Sequence, residues 1–163
     1  MNDDVSVTIT RQGKYRFLVD FGPDIAKTMS DEPAPLGEGA GPSPSQLLAA
    51  AVSNCLSASL VFAHGKFKED PGRLTTTAVC QIGRNDKNRL RVTGIKVVIT
   101  LGVAPETLGH LDRALAQFED FCTVSQSVRT GIPFVVTVKS PDGRVLKLQR
   151  GEVARQVWTK SPL

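Results

Sequence analysis

The feature that most constrains the fold is a run without a single charged side chain, from Pro42 to Ala63, in GPSPSQLLAAAVSNCLSASLVFAHG. Its start is marked. Ser43 can be an N-cap, Pro44 suits the first helical position, and Gln46 completes a capping box. Gly65 can end the helix in the left-handed conformation. The span Pro44 to His64 predicts one helix roughly 30 Å long. The run is long enough to raise a membrane-spanning reading, but Ser43, Ser45, Gln46, Ser53, Asn54, Ser57 and Ser59 interrupt it. A central helix of a packed domain fits better, and no membrane partner is expected. Apolar and small residues go most of the way round this helix, so it needs neighbours on most sides. Cys55 stands near its middle.

The flanking segments read mostly as strands. Residues 5–10 (VSVTIT) alternate with period two, RQGK gives a turn, and 15–21 (YRFLVDF) return, which predicts a hairpin. Residues 22–43 carry four prolines and four glycines and read as a long loop. Strands follow at 74–83 and 90–103. Pro105 opens a second helix with Leu108, Leu111, Leu115, Phe118 and Cys122 on one stripe. Thr123 and Gln126 resemble a second capping box opening a short helix, which places Cys122 just before its N-cap. Strands at 132–139 and 144–149 join through Pro141-Asp142-Gly143. The order predicts an α+β domain with antiparallel sheets around long central helices, over residues 1–163, with 150–163 a basic C-terminal extension. One sheet cannot easily surround the long helix, so an intertwined homodimer is expected.

Composition bounds the function. A formal charge of +4 is too small to argue a nucleic-acid partner by itself, and the basic tail has only Trp158 as a nearby aromatic. No nucleic-acid partner is expected. The N-terminus, MNDDVSVTIT, has no basic segment followed by an apolar one, which predicts a cytoplasmic protein. Three cysteines, an odd count without CxxC, argue against a disulfide framework. His64 and His110 are the two histidines, too few at a usual spacing for zinc, so no metal or bound cofactor is expected. His64 reads as a surface or capping residue of the last helical turn and His110 as solvated. Gly37, Gly39 and Gly41 lack the strand and lysine of a phosphate loop. Cys80 reads as a small buried strand residue beside Ala78 and Ile82.

Cys55 and Cys122 both point inward from helices. Each suits inert packing. Two thiols that meet can also form a redox couple, in which one becomes a sulfenic acid and the other condenses with it. Pro44, Gln46-Leu47-Leu48-Ala49-Ala50 and Cys55 resemble the first cysteine motif of the OsmC/Ohr family, the osmotically inducible and organic hydroperoxide resistance proteins. CTVSQSVRTGIP, residues 122–133, resembles the second. The likeness runs over roughly residues 5–140 and is closest to the OsmC-like branch.

That resemblance implies a homodimer, thiol-dependent reduction of organic hydroperoxides, and an external dithiol reductant. It implies Cys55 as the peroxidatic thiol and Cys122 as the resolving one. An ordinary thiol of pKa near 8.5 is only about 3% thiolate at pH 7, so a cation must approach it. The family places an Arg from the N-terminal hairpin there, held by a Glu in the first turn of the long helix. Arg11 matches that Arg by position, with Arg16 a rival. Ser45 stands where the Glu would be, and Glu38 is the candidate substitute. The alternative reading is an OsmC-like protein that binds a small ligand, or serves a stress-related role, without significant peroxidase turnover.

Overall fold

The computed structural model describes residues 4–151. The expected basic extension therefore lies almost wholly outside the described residues. The chain divides into two compact units, Met1–Leu48 and Ala49–Leu163, with the boundary inside the long helix.

The first unit is a three-stranded antiparallel sheet, β1 (Thr8–Arg11), β2 (Phe17–Asp20) and β3 (Thr28–Ser30), in that order. The expected hairpin is β1–β2, with Arg11 opposite Phe17. The third strand falls inside the stretch read as loop: Thr28-Met29-Ser30 is too short to show a period. The loop after β3 is held by Asp31, a buried carboxylate. Its Oδ2 accepts from the backbone N–H groups of Glu38 at 3.0 Å and Ala40 at 3.1 Å. Those donors hold its pKa below the usual carboxylate value, Ala40 contributing most. The glycines of this loop have a steric reason. A methyl group at Gly41 would run into the Met29 carbonyl, and one at Gly37 into the Glu32 carbonyl.

α1 spans Pro44–Gly65 and opens on the expected capping box. Ser43 N donates to Gln46 Oε1 at 2.8 Å, and Gln46 N donates to Ser43 Oγ at 3.4 Å. Its far end differs from expectation. Gly65 stays helical, and the left-handed residue is Lys68, at φ 58°.

The second unit is built on a four-stranded sheet in the order β4 (Thr75–Arg84), β5 (Leu90–Thr100), β6 (Phe134–Lys139), β7 (Val145–Arg150). β4–β5 and β6–β7 are antiparallel, but β5 and β6 run parallel. The β5–β6 pair is the one departure from the expected antiparallel pairing among the described strands. The helical segments between residues 105 and 128 form the crossover that a parallel pair requires. β6 reads FVVTV and is buried at every one of these positions, as expected for a strand covered on both faces.

The registers place the helices. Ile95, Val97 and Ile99 of β5 lie opposite Phe134, Val136 and Val138 of β6, and opposite Cys80, Ala78 and Thr76 of β4. All nine therefore share one face of the sheet. α1 meets that face at its β4 edge, where Ser57 Oγ and Thr76 Oγ1 are 2.7 Å apart. Lys147 of β7, opposite Val138, points to the same side and donates to the Leu115 carbonyl. The core of this unit combines those strand residues with Val52, Leu56, Leu60 and Ala63 of α1 and with Leu115 and Phe118. The opposite stripe of α1 stays open in the single chain, with Val61 and Phe62 exposed.

The second helix is not continuous. The chain makes a 3-10 turn at Pro105–Thr107, then α2 (Leu111–Gln117), a second 3-10 turn at Phe118–Phe121, and α3 (Thr123–Val128). The predicted stripe largely survives these breaks: Leu108, Leu115, Phe118 and Cys122 are buried, and Leu111 is half-buried.

The His64 expectation is corrected, while His110 is exposed as expected. His64 is fully buried, with Nδ1 3.3 Å from Glu69 Oε2. His110 is half-exposed but held: its backbone N–H and Nδ1 are both 2.9 Å from Glu69 Oε1, and its ring stacks on Phe67 at 4.6 Å. Glu69 ties the end of α1 to the start of the crossover.

Leu56 is completely buried in this arrangement, whereas Ala58, two positions on, is exposed. Leu56→Ala is expected to cost about 2–5 kcal/mol in urea unfolding. Ala58→Gln should change stability by about 0.5 kcal/mol or less in a monomer. Equal losses at the two positions would contradict the core described above.

Candidate functional site

Cys55 lies on α1 at the edge between its buried and exposed sides. Val52, Leu56, Leu60 and Ala63 face the sheet. Ala51, Ala58 and Phe62 lie four before, three after and seven after Cys55, on its own stripe, and all three are exposed. Cys55 is accordingly half-buried. An accessible thiol in an apolar surround results.

Cys122 arrives from a different construction. The 3-10 turn before it ends with Cys122 N donating to the Glu119 carbonyl at 3.1 Å. Cys122 itself, not Thr123, is the N-cap of α3, with extended dihedrals (φ −85°, ψ 95°). Its sulfur accepts from Ser125 N at 3.3 Å, the contact an N-cap oxygen would ordinarily make. Gln126 does not complete a capping box; its side chain turns back to the Glu119 carbonyl at 3.0 Å. Cys122 is fully buried.

The two sulfurs meet. The Cys55 thiol lies close enough to Cys122 to raise its pKa, and neither cysteine is in a disulfide. The pKa of Cys122 is raised above the ordinary thiol value. Burial is the leading cause, and the contact with Cys55 adds to it. The Ser125 donor at the helix start works in the opposite direction. Burial and the neighbouring thiol prevail over the cap. Cys122 thus holds its proton at neutral pH. Cys80 is also raised by burial; it is half-buried in β4, where a buried residue was expected.

Two features beside the thiols were not legible in the sequence. Phe62 and Phe121 meet edge to face at 5.2 Å, and Lys66 Nζ sits 3.9 Å from the centre of the Phe121 ring. Below them, Glu119 is a buried carboxylate 2.8 Å from Arg129 Nη2 and 2.9 Å from Lys147 Nζ. The Lys147 contact is a charge pair rather than an aligned hydrogen bond, since Glu119 Oε1 has no directed donor. Lys147 Nζ donates to Leu115 O at 2.6 Å. A charged residue three positions before Cys122 reads in sequence as a solvated helix face. Only the crossover's return against β7 encloses it.

Arg11 and Glu38 belong to the first unit. Arg11 Nε turns onto its own hairpin, donating to the carbonyls of Gly13 at 2.9 Å and Lys14 at 3.3 Å. Glu38 pairs with Arg16 at 3.4 Å, not with Arg11. Both partners are exposed, so the pair contributes little to stability. The first turn of α1 contains no acidic residue. Among the described residues no group of three or more His, Cys, Asp or Glu side chains could hold a metal ion.

The sequence model of the OsmC-like protein family matches residues 37–137, a span that includes both Cys55 and Cys122. Solved structures agree on the fold. An OsmC-like protein of Vibrio cholerae superposes with a TM-score of 0.65 at 22% identity, covering 84% of this chain and 99% of its own. An organic hydroperoxide resistance protein of Legionella pneumophila gives 0.65 at 16% identity, over 84% and 98%. The organic hydroperoxide resistance protein of Bacillus subtilis gives 0.61 at 17% identity, over 84% and 98%. No curated protein matches the sequence.

The thiol contact predicts a titration. Alkylation of Cys122 by iodoacetamide, followed by peptide mass, should rise only above the ordinary thiol range. In Cys55→Ala one raising cause is gone while burial remains. The Cys122 profile should then shift to lower pH without falling below the ordinary thiol value. An unchanged profile would show that the two sulfurs do not interact.

Proposed function

The chain belongs to the OsmC-like family, and from that premise we propose that it is a thiol-dependent peroxidase that reduces organic hydroperoxides. Cys55 is the peroxidatic thiol and Cys122 the resolving thiol. The observation that carries this reading is the contact between an accessible thiol and a buried, protonated one.

In the first step the Cys55 thiolate attacks the terminal oxygen of the hydroperoxide. An S–O bond forms, the O–O bond breaks, and the alkoxide leaves as an alcohol after taking a proton. Cys55 is then a sulfenic acid. In the second step the Cys122 sulfur attacks the Cys55 sulfur. An S–S bond forms, the S–O bond breaks, and the oxygen leaves as water with the Cys122 proton. The two thiols have supplied both electrons, and an external dithiol resets the pair by exchange. Until that second step Cys122 keeps the proton that the departing oxygen needs.

The apolar stripe of Ala51, Ala58 and Phe62 around Cys55 suits an organic rather than an inorganic peroxide. The same stripe, continued by Val61, is the surface we assign to a homodimer contact. The names of the Legionella and Bacillus proteins support the substrate class. One observation favours the second reading, ligand binding without turnover. Glu38 takes Arg16, Arg11 is turned onto its own hairpin, and Ser45 cannot anchor a guanidinium as a carboxylate would.

One equivalent of cumene hydroperoxide separates the readings. Wild-type protein should lose two thiols and about 2 Da, as a disulfide forms. Cys122→Ser should lose one thiol and gain about 16 Da, the mass of a sulfenic acid. Cys55→Ser should consume no hydroperoxide above a free-thiol control. Consumption at the control rate by wild-type protein would reject the peroxidase and leave ligand binding.

A further inference from the structure

Glu119 is buried, charged and without a task in the two chemical steps. Its neighbours describe one. Its carbonyl accepts from Cys122 N at 3.1 Å and from Gln126 Nε2 at 3.0 Å. Its carboxylate holds Arg129, the C-cap of α3, at 2.8 Å. It also meets Lys147 of β7 at 2.9 Å, and the Lys147 ammonium lies 4.8 Å from the centre of the Phe118 ring. Glu119 therefore touches the turn before Cys122, the middle of α3 after it, the far end of α3, and the sheet. Cys122 is the bend of that closed segment.

A buried ionic cluster is a costly way to fill space, and apolar residues of similar size often stabilise as well or better. Its distinguishing property is geometric. A bidentate-capable guanidinium and a carboxylate fix a distance that packing alone leaves adjustable. Closing a disulfide makes such a demand, since the two Cβ atoms must approach to about 3.5–4.5 Å. The Cys122 backbone is extended between two helical segments, so its direction depends on whatever holds those segments together.

We propose that Glu119, through Arg129, is the positioning residue of the resolving thiol. It holds the Cys122 sulfur against Cys55, so that the S–S bond forms as soon as Cys55 carries a leaving group. The role deepens the peroxidase reading and rests on it for its biological purpose. The placement itself can be tested with any oxidant that joins two thiols.

The experiment uses full-length Glu119→Gln, Arg129→Met and Arg129→Lys in two arms. In the first, one equivalent of cumene hydroperoxide is added with and without dimedone, which traps sulfenic acids. Glu119→Gln and Arg129→Met should form the Cys55 sulfenic acid within about twofold of the wild-type rate. They should close the disulfide about tenfold or more slowly, as expected for a misplaced reacting group. A dimedone adduct on Cys55 should accumulate in these variants and not in wild type. Arg129→Lys should recover part of the closure rate. In the second arm diamide replaces the hydroperoxide: one thiol adds to its N=N bond, and the second displaces the hydrazine as the disulfide forms. The same slowing is expected.

Wild-type closure rates in both Glu119→Gln and Arg129→Met would overturn the proposal. Equal slowing of both steps would overturn it too, since that marks general loosening. If wild type ignores cumene hydroperoxide, the peroxidase reading fails and the diamide arm alone decides the positioning role. If Glu119→Gln does not fold by circular dichroism, Arg129→Met decides, because it retains the Glu119–Lys147 pair.

Discussion

The proximity of the Cys55 and Cys122 thiols is the constraint on which the other features of the second unit converge. One sulfur is carried by a long helix laid on the sheet, the other by a bend between two short helical segments. Neither element alone defines a site. The helix supplies an accessible thiol in apolar surroundings; the bend supplies a buried thiol with its proton in place. The parallel pairing of β5 with β6 matters because it requires the crossover that delivers Cys122.

Burial decides the division of labour between the thiols. A cysteine that caps a helix is commonly pictured as a ready thiolate, and the Ser125 N–H does act in that direction. Here the cap is inside the protein. Removing Cys122 from water, together with the neighbouring thiol, outweighs the cap and keeps it protonated. A neutral thiol that waits for its partner to be oxidised fits a resolving role better than an attacking one. The buried Glu119 carboxylate and its half-buried partners Arg129 and Lys147 flank the segment that carries it.

Much of this was legible in the residues, and the failures have physical reasons. The capping box of Ser43 and Gln46 marked the start of α1 because its signal is local and chemically specific. The 74–83 and 90–103 strands and the Pro141-Asp142-Gly143 turn were visible through alternation and turn chemistry. The stripe through Leu108, Leu111, Leu115, Phe118 and Cys122 named four buried residues and one half-buried, Leu111, although the backbone beneath it breaks into turns. Periodicity reports which face is covered, not whether one helix runs without interruption. β3 was too short to alternate. The parallel pairing is a topological fact, and the all-apolar FVVTV was its one local trace. His64 was misjudged because helix-end position argued for solvent, whereas Glu69 folds back to meet it. Glu119 was missed because an acid in a helical stretch, here beside Asp120, is ordinarily solvated. The motif around each cysteine marked Cys55 and Cys122 as candidates through the family resemblance, and position favoured Arg11 over Arg16 for the cation from the N-terminal hairpin.

The most direct measurement of the central claim is proximity of the sulfurs in solution. Dibromobimane, a short bifunctional reagent that fluoresces only when it bridges two thiols, should join Cys55 to Cys122 within one chain, as read by peptide mass. Fluorescence should be lost in Cys55→Ser and in Cys122→Ser, and retained in Cys80→Ser. A bridge that uses Cys80, or no bridge in the folded wild-type protein, would contradict the account.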